Sequence, residues 1–263
     1  GDPSNRWHPV AWFGRWASWC ESFLYGKKRR AGVIAWCFVI GIAFGTLGLG
    51  HAVFGWIFDV LLVWLSIGWK SLFEHVKMVL GAKTVKEARE ALALIVSRDV
   101  TNMKREDTRR SALESLAENA SDAVLAPLFW FVLLGPLGAA LYRMINTLDA
   151  MWGYKNSRFI NFGYASARLD DLLGFISGKC CTLLYAIQGL KQRNFIQAIV
   201  NAYRQGMLYK SHNGGWVMAA GATVMNRKLG GSAHYHGKEV HSVTLGKGNN
   251  VSSDDIPASL SLV

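Results

Sequence analysis

The run Ser111-Ala112-Leu113-Glu114-Ser115-Leu116-Ala117-Glu118-Asn119-Ala120-Ser121-Asp122 is the densest polar constellation in the sequence, and it stands immediately before an apolar stretch. Glu114, Glu118 and Asp122 recur at i, i+4 and i+8, which puts them on one face of a continuous helix. Stacked without cations between them they repel one another by roughly a few tenths of a kcal/mol per pair when solvated, so removal of one charge should relieve strain. A divalent cation would relieve it too. Mg²⁺ takes one or two carboxylates together with waters and substrate phosphates, so this face suits a metal–nucleotide. On local grounds alone the same pattern also fits a solvated acidic face paired with Arg109 and Arg110 one turn earlier.

Three further clusters carry chemistry. Asn146-Thr147-Leu148-Asp149-Ala150-Met151-Trp152-Gly153-Tyr154-Lys155-Asn156 mixes amide, acid, aromatic and base, and aromatics in a loop are exposed unless they pack on something. Arg168-Leu169-Asp170-Asp171 opens an apolar run, where the paired acids could also simply favour a helix start. Asn213-Gly214-Gly215-Trp216 is a turn whose glycines let backbone approach a ligand. Other features carry less. Gly174-Phe175-Ile176-Ser177-Gly178-Lys179-Cys180 lacks the spacing and the Ser/Thr of a phosphate loop. His234, His236 and His241 sit in a glycine-rich polar stretch without supporting acids or cysteines. Asp59 lies in an apolar span, where an acid is costly and function is the default reading, yet its neighbours Trp56 and Trp64 offer it no partner.

The elements that must position these groups are those of a membrane protein. The chain of 263 residues carries 29 Lys+Arg against 18 Asp+Glu, a net charge of +11, although only 18% of its residues are charged and 51% are hydrophobic. A disordered chain or a nucleic-acid binder of this charge would be far richer in charged residues, so neither reading is favoured and no nucleic-acid partner is expected. Cys20, Cys37, Cys180 and Cys181 show no metal or disulfide spacing, which suits a reducing or intramembrane setting. Ala31 to Trp69 holds only His51 and Asp59 as readily charged groups, and each half approaches the ~20 residues needed to cross hydrocarbon. The expectation is a full helical hairpin turning at Gly48-Leu49-Gly50-His51, with Lys27-Lys28-Arg29-Arg30 marking the cytoplasmic side.

Ala123 to Tyr142 is uncharged but broken by Gly135-Pro136, which predicts two half-length helices that enter and return rather than one crossing. Leu172 to Leu190 is a weaker span with Lys179 near its centre. Trp12, Trp16, Trp19 and Phe23 recur at helical spacing and predict an amphipathic helix in the membrane interface. The predicted class is all-α, a polytopic membrane helical protein with interfacial and cytoplasmic amphipathic helices. Its expected organisation is an interfacial segment over 1–30, a transmembrane hairpin over 31–69, and a cytoplasmic helical segment over 70–122. Membrane-embedded helices with a site loop follow over 123–190. A basic helix and a loop-rich glycine tail follow over 191–263.

Several of these motifs occur in a recognisable order: Gly1-Asp2-Pro3, His8-Pro9-Val10, Val96-Ser97-Arg98-Asp99, Glu114-Ser115-Leu116-Ala117-Glu118-Asn119, Ala126-Pro127-Leu128-Phe129-Trp130, Asn146-Thr147-Leu148-Asp149, Met151-Trp152-Gly153-Tyr154 and Arg168-Leu169-Asp170-Asp171. With Asn213, Gly215 and Leu229-Gly230-Gly231 they resemble, over nearly the whole chain, the adenosylcobinamide-phosphate synthase family of cobalamin biosynthesis. The resemblance implies an ATP-dependent ligase that joins an aminopropanol, usually as its phosphate, to the free carboxylate of the corrinoid adenosylcobyric acid. It implies an integral protein of the bacterial inner membrane with its site facing the cytoplasm, in contact with the lipid bilayer and with other membrane-associated cobalamin-assembly enzymes as candidate partners. Beside the family, the chain looks trimmed at both ends, before Gly1 and after Asp255-Ile256. The family's Pro-Ala-Arg-Leu reads Ser177-Gly178-Lys179-Cys180, and its Pro-Asn-Ala-Gly reads His212-Asn213-Gly214-Gly215. Relatives that act as regulatory membrane proteins of antibiotic-resistance induction give the rival reading, and a transporter is the third.

Amide formation requires a carboxylate oxygen to become a leaving group, hence ATP, Mg²⁺ and cations for the phosphates. Residue chemistry assigns Glu114, Glu118 and Asp122 to the metal and Arg98, Arg168 and Lys179 to phosphate oxygens. Asp149, Asp170 and Asp171, with Glu118 and Asn119, would carry the catalytic proton transfer and polar contacts. Asn146, Asn156 and Asn213 would bind substrate, and Trp152, Tyr154 and Trp216 would wall the corrin ring.

Overall fold

The structure, a computed structural model, describes residues 9–96, 98–235 and 238–252. The opening Gly1-Asp2-Pro3, His8, Ser97, His236 and the Asp255-Ile256 region lie outside them. The chain divides into two units, each built from separated stretches: unit 1 from Gly1–Ile67 and Ala126–Gly174, unit 2 from Gly68–Leu125 and Phe175–Val263.

Among the described residues of unit 1, the regular elements are all helices. Helix α1 (Pro9–Leu24) buries Ala17 and Cys20 and leaves Trp12, Trp19 and Phe23 exposed, while Trp16, the fourth aromatic of the stripe, is half-buried against the core. Helix α2 (Arg29–Phe54) has 26 residues, about 39 Å at ~1.5 Å per residue, enough to cross a ~30 Å hydrocarbon layer. Its inner face combines the small or slim residues Gly32, Ala35, Val39 and Ala43 with Ile40, while Ile34, Phe38, Leu49 and Val53 point outward. Small residues let helix backbones approach closely. At Gly32 the approach is so tight that a Cβ would collide with the Phe162 carbonyl group of α8 (Phe159–Phe162).

The expected hairpin is corrected in two respects. Helix α2 runs straight through Gly48-Leu49-Gly50-His51 and ends at Gly55, whose φ of 58° and ψ of −139° suit glycine alone. The returning helix, α3 (Trp56–Ser66), has only 11 residues, about 16 Å of rise, roughly half a membrane crossing. The bend also gives Asp59 a partner that sequence neighbours did not reveal: His51 Nδ1 lies 2.8 Å from its Oδ1.

The other broken span behaves as its glycine predicts. Helix α7 (Ala126–Trp152) is interrupted at Gly135, with φ 70° and ψ −165°. A Cβ on Gly138 would stand 2.6 Å from the Trp130 carbonyl oxygen, whereas on a continuous helix those positions would be ~12 Å apart. The chain therefore folds back at Gly135, and Val132, Leu133 and Leu134 at the tip are exposed. By length and apolarity, α2 and the helical stretch Arg105–Trp152 are the two candidate membrane spans among the described residues. The uncharged part of the second is Ala123–Tyr142, and it is broken at this point.

Unit 2 packs α4 (Trp69–Gly81), α5 (Val85–Leu92) and α6 (Arg105–Ala120) with α10 (Phe195–Gly206), α11 (His212–Val224) and the Phe175–Gln188 part of α9 (Tyr164–Gln188). Thr84 and Glu87 form a capping box that starts α5. Helix α11 is buried from Gly214 through Val224 except at Trp216, because its small residues admit close neighbours. The all-α expectation is corrected here: β1 (Lys228–Tyr235) and β2 (Lys238–Gly246) form an antiparallel pair where loops were expected. Gly230 and Gly231, both at positive φ, sit at the register shift of β1.

Glu114, on α6, is 1% exposed. Its Oε2 accepts from Arg98 Nη1 at 2.7 Å, and its Oε1 accepts from the Gly230 backbone N–H at 2.7 Å. Arg110 Nε stands 3.8 Å from Oε1. The carboxylate thus ties α6 to β1 and to the Arg98 segment, and it is neutralised by cations that sequence spacing alone did not place beside it. Its removal should therefore cost stability rather than relieve strain.

Two outcomes are expected. Gly32→Ala should lower the melting temperature of the detergent-solubilised protein, with overpacking costing at least ~1–3 kcal/mol, whereas Gly41→Ala, where nothing lies within 4 Å of the added methyl, should be neutral or slightly stabilising. Glu114→Gln should destabilise by ~3 kcal/mol or more, since it leaves the Arg98 guanidinium enclosed without its counter-charge. An unchanged melting temperature for Glu114→Gln would refute the structural assignment of that carboxylate.

Candidate functional site

In unit 1, the last turns of α7 meet the start of α9 around an acidic group. Arg143 Nη1 donates to Asn146 Oδ1 at 3.4 Å, and Asn146 Nδ2 donates to Asp170 Oδ1 at 3.2 Å. Asp149, one turn beyond Asn146 and past the apolar stretch of α7, is partly buried. Burial, followed by the charges of Asp170 and Asp171, pushes its carboxyl up to about 7, against a smaller pull from Lys155. Asp170 is also raised, by burial first, with the Asn146 hydrogen bond opposing. Gly153 makes this packing possible: its N–H closes onto the Asp149 carbonyl at 2.7 Å, and a Cβ there would collide with the Asp149 carboxylate. Asp149 and Asp170, expected as alternative proton acceptors, and Asn146, expected to bind substrate, are therefore brought together, with Asp171 beside them and exposed.

Other residues of the same motifs take structural places. Trp152, expected to wall a corrin, is 0% exposed. Its Nε1 donates to Glu21 Oε2 at 3.1 Å and its ring packs edge-on against Phe162, so it is core, and that expectation is corrected. Asn156 Oδ1 accepts from the N–H groups of Arg158 and Phe159, shaping the turn into α8. Tyr154 is 57% exposed and presents its ring outward. Arg168 is exposed, its guanidinium 5.5 Å from the Tyr164 ring centroid.

In unit 2, the end of α6, the start of α11 and the α9 segment form a second cluster. Ser211 caps α11 by accepting from Gly214 N–H at 3.2 Å. Glu118 faces that first turn, with Oε1 2.5 Å from where a Gly214 Cβ would stand. Glycine is thus what allows the carboxylate to reach the helix N-terminus. Burial raises the Glu118 carboxyl, opposed by Lys210 and reinforced by Glu114. Asn119 Nδ2 donates to Ser115 O and Oγ. Lys179 Nζ lies 3.1 Å from the Trp216 ring centroid, and α9 runs beside Asn213 at Gly178, where an added Cβ would stand 3.9 Å from it. Lys179, Asn213 and Trp216 thus lie together, and Lys210, which the motifs did not single out, stands close enough to Glu118 to act on its carboxyl.

The expected three-carboxylate metal face does not form. Glu114 is occupied by Arg98 and Gly230, and Arg98, expected on phosphate, instead contacts Glu114 and Ser111. The third carboxylate, Asp122, stands in a π-helical turn over Ser121–Leu125. Asp122 lies near Cys181 and Tyr185 of α9. Among the described residues, no group of three His, Cys, Asp or Glu side chains is placed to hold a metal ion. Glu118 and Asp122 remain as carboxylates that one Mg²⁺ could use together with phosphate oxygens, which is within the ordinary donor number for that ion.

Against known proteins, the family described as CobD/Cbib protein matches residues 1–263. A "Cobalamin biosynthesis protein CobD" of Stutzerimonas stutzeri is 40% identical, covering 100% of this chain and 88% of the relative. Proteins of the same description are 37% identical in Chromobacterium violaceum, covering 100% of this chain and 87% of the relative, and 35% identical in Clostridium perfringens, covering 94% and 83%. No solved structure matches the chain. A match over every residue, in agreement with the resemblance carried by the ordered motifs, leads to one conclusion: the chain belongs to the CobD/Cbib protein family.

Proposed function

We propose that this protein is an ATP-dependent carbon–nitrogen ligase of cobalamin biosynthesis, joining (R)-1-aminopropan-2-ol or its phosphate to the free carboxylate of adenosylcobyric acid. The observation that carries the reading is Asp149, a carboxyl poised near neutrality beside Asp170 and Asn146. An amine arrives in water as an ammonium and cannot attack until it loses a proton, and a base that titrates near the working pH performs that transfer best. Asp149 takes the proton, and Asp170, oriented by Asn146, holds the ammonium before transfer. Full-length relatives named for cobalamin biosynthesis support the substrate class.

Bound Mg²⁺–ATP would supply the phosphoryl group that turns a carboxylate oxygen into a leaving group. Glu118 and Asp122 would hold the metal, and Lys210 and Lys179 would face the phosphate charge. Tyr154 of unit 1, exposed at its ring, offers a face to a broad, partly apolar corrinoid, and in unit 2 Trp216 is stacked with Lys179. The exposed apolar faces of α2 and α3 support an integral place in the bacterial inner membrane, and Lys27–Arg30 at the start of α2 support a cytoplasmic site.

The test is turnover by purified protein given adenosylcobyric acid, ATP, Mg²⁺ and each amine in turn, with products read by mass. Absence of ATP-dependent amide with both amines would sink the proposal. For the base, kcat/KM should climb with pH and level off above about 7, and Asp149→Asn should lose ~100-fold or more and the pH-dependent limb with it. Stability supplies an independent sign. The folded carboxyl keeps its proton up to about 7 while an unfolded one releases it near 3.8. The native state therefore binds more protons between those values, and stability should fall as pH rises through that window. Asp149→Asn should flatten that fall, and an unaltered pH dependence of melting would remove Asp149 from this role.

A further inference from the structure

Unit 1 holds a cavity of about 560 Å³ between α1, α2, α3 and the returning half of α7. Its walls are hydrocarbon: Phe13, Ile42, Leu47, Phe58, Leu61 and Met144 are representative. Three hydroxyl residues also line it, but each donates to its own helix. Thr46 Oγ1 bonds the Ala43 carbonyl at 2.7 Å, Ser66 Oγ the Leu62 carbonyl at 2.8 Å and Thr147 Oγ1 the Arg143 carbonyl at 2.8 Å. Among the described residues lining the cavity, Arg143 is the one ionisable side chain.

An apolar chamber with a single cation has the chemistry of an anionic amphiphile. A polar metabolite would find almost no hydrogen-bond partners on these walls. Taking a methylene as roughly the ~30 Å³ share of a water molecule, the volume admits about 18 such groups, the scale of one membrane acyl chain. Arg143 follows directly on the apolar run Ala123–Tyr142, and the tryptophan-bearing helix α1 also lines the cavity. Both are features of the headgroup level.

We propose that this cavity binds one phospholipid, with an acyl chain between α1, α2 and α3 and an anionic headgroup phosphate at Arg143. Because the same guanidinium donates to Asn146, which in turn holds Asp170, the headgroup touches the residue that positions the acidic group. Binding is read without turnover, so its failure and that of the ligase reading are separable.

The experiment is native mass spectrometry of the full chain released from nanodiscs holding equal phosphatidylglycerol and phosphatidylcholine. The expected result is one retained lipid per chain, with phosphatidylglycerol favoured about tenfold. Arg143→Gln should bring the two lipids to near parity while still retaining one, and Ala43→Phe, which fills the chamber from α2, should retain neither. Arg143→Gln leaves the apolar walls intact, so it reports on the headgroup even where Ala43→Phe fails to fold. Wild-type protein that retains no lipid, or that shows no preference for phosphatidylglycerol, would overturn the proposal. So would folded Ala43→Phe that keeps its lipid. Oleate added as a competitor should leave the phospholipid in place; its displacement by one oleate would overturn the proposal and assign the cavity to a free fatty acid instead.

Discussion

A carboxylate leaves water only when something else supplies the hydrogen bonds and charge that water gave it, and Glu114 shows what that requirement imposes on unit 2. Its two oxygens are met by a guanidinium from the Arg98 segment and a backbone N–H from the start of β1, with a second guanidinium one helical turn away. None of these partners can be removed without leaving an enclosed charge. Helix α6 is thereby fixed along its length, and Glu118 and Asn119, one turn further on, inherit their position from it. The glycine pair of β1 follows from the same demand, because the N–H of Gly230 must point inward at a place where the strand shifts register.

Unit 1 meets a different constraint. Its helices expose Ile34, Phe38, Trp56, Trp64 and Val132, a surface that excludes stable contact with water over so large an area. Irregular backbone is then costly unless it is enclosed by protein, and the two bends of this unit occur at Gly55 and Gly135, where positive φ is open to glycine. The bend at Gly55 carries its own polar pair, His51 with Asp59, so the acid that looked isolated in the sequence is met by the helix that precedes it.

What could be read from the sequence followed from composition and short-range pattern. The apolar length of α2, the aromatic stripe of α1 and the break at Gly135-Pro136 are all local signals, and all appear in the structure. Asp149 and Asp170 were legible one by one as candidate proton acceptors and Asn146 as a binding residue, but their association was not, because it depends on α7 meeting α9. Other readings went astray for stated physical reasons. The i, i+4, i+8 face took Glu114 for a free carboxylate, and Arg98 and the Gly230 N–H, both distant in sequence, occupy it. Trp152 looked available because its neighbours are polar, but Glu21, far away in sequence, supplies its indole N–H with an acceptor inside the core. The hairpin of β1 and β2 was hidden because glycines break up its first strand, although Val240, Val243 and Leu245 give the second a strand-like character. Lys210 could have been noticed as the residue before the Ser211 cap; its proximity to Glu118 could not.

The interleaving of the two units has a consequence for biogenesis. Each is assembled from stretches separated by the other's sequence, with the chain passing from the first to the second, back, and over again within α9. During synthesis neither can close on itself early. Unit 1 waits for residues up to Gly174, while α4, α5 and α6 of unit 2 have already emerged and must be held without α10, α11 and the β-hairpin that cover them. The apolar face of α6 is thus exposed while the ribosome makes the whole of α7, α8 and α9. A nascent chain of this design depends on chaperoning or on membrane capture during that interval.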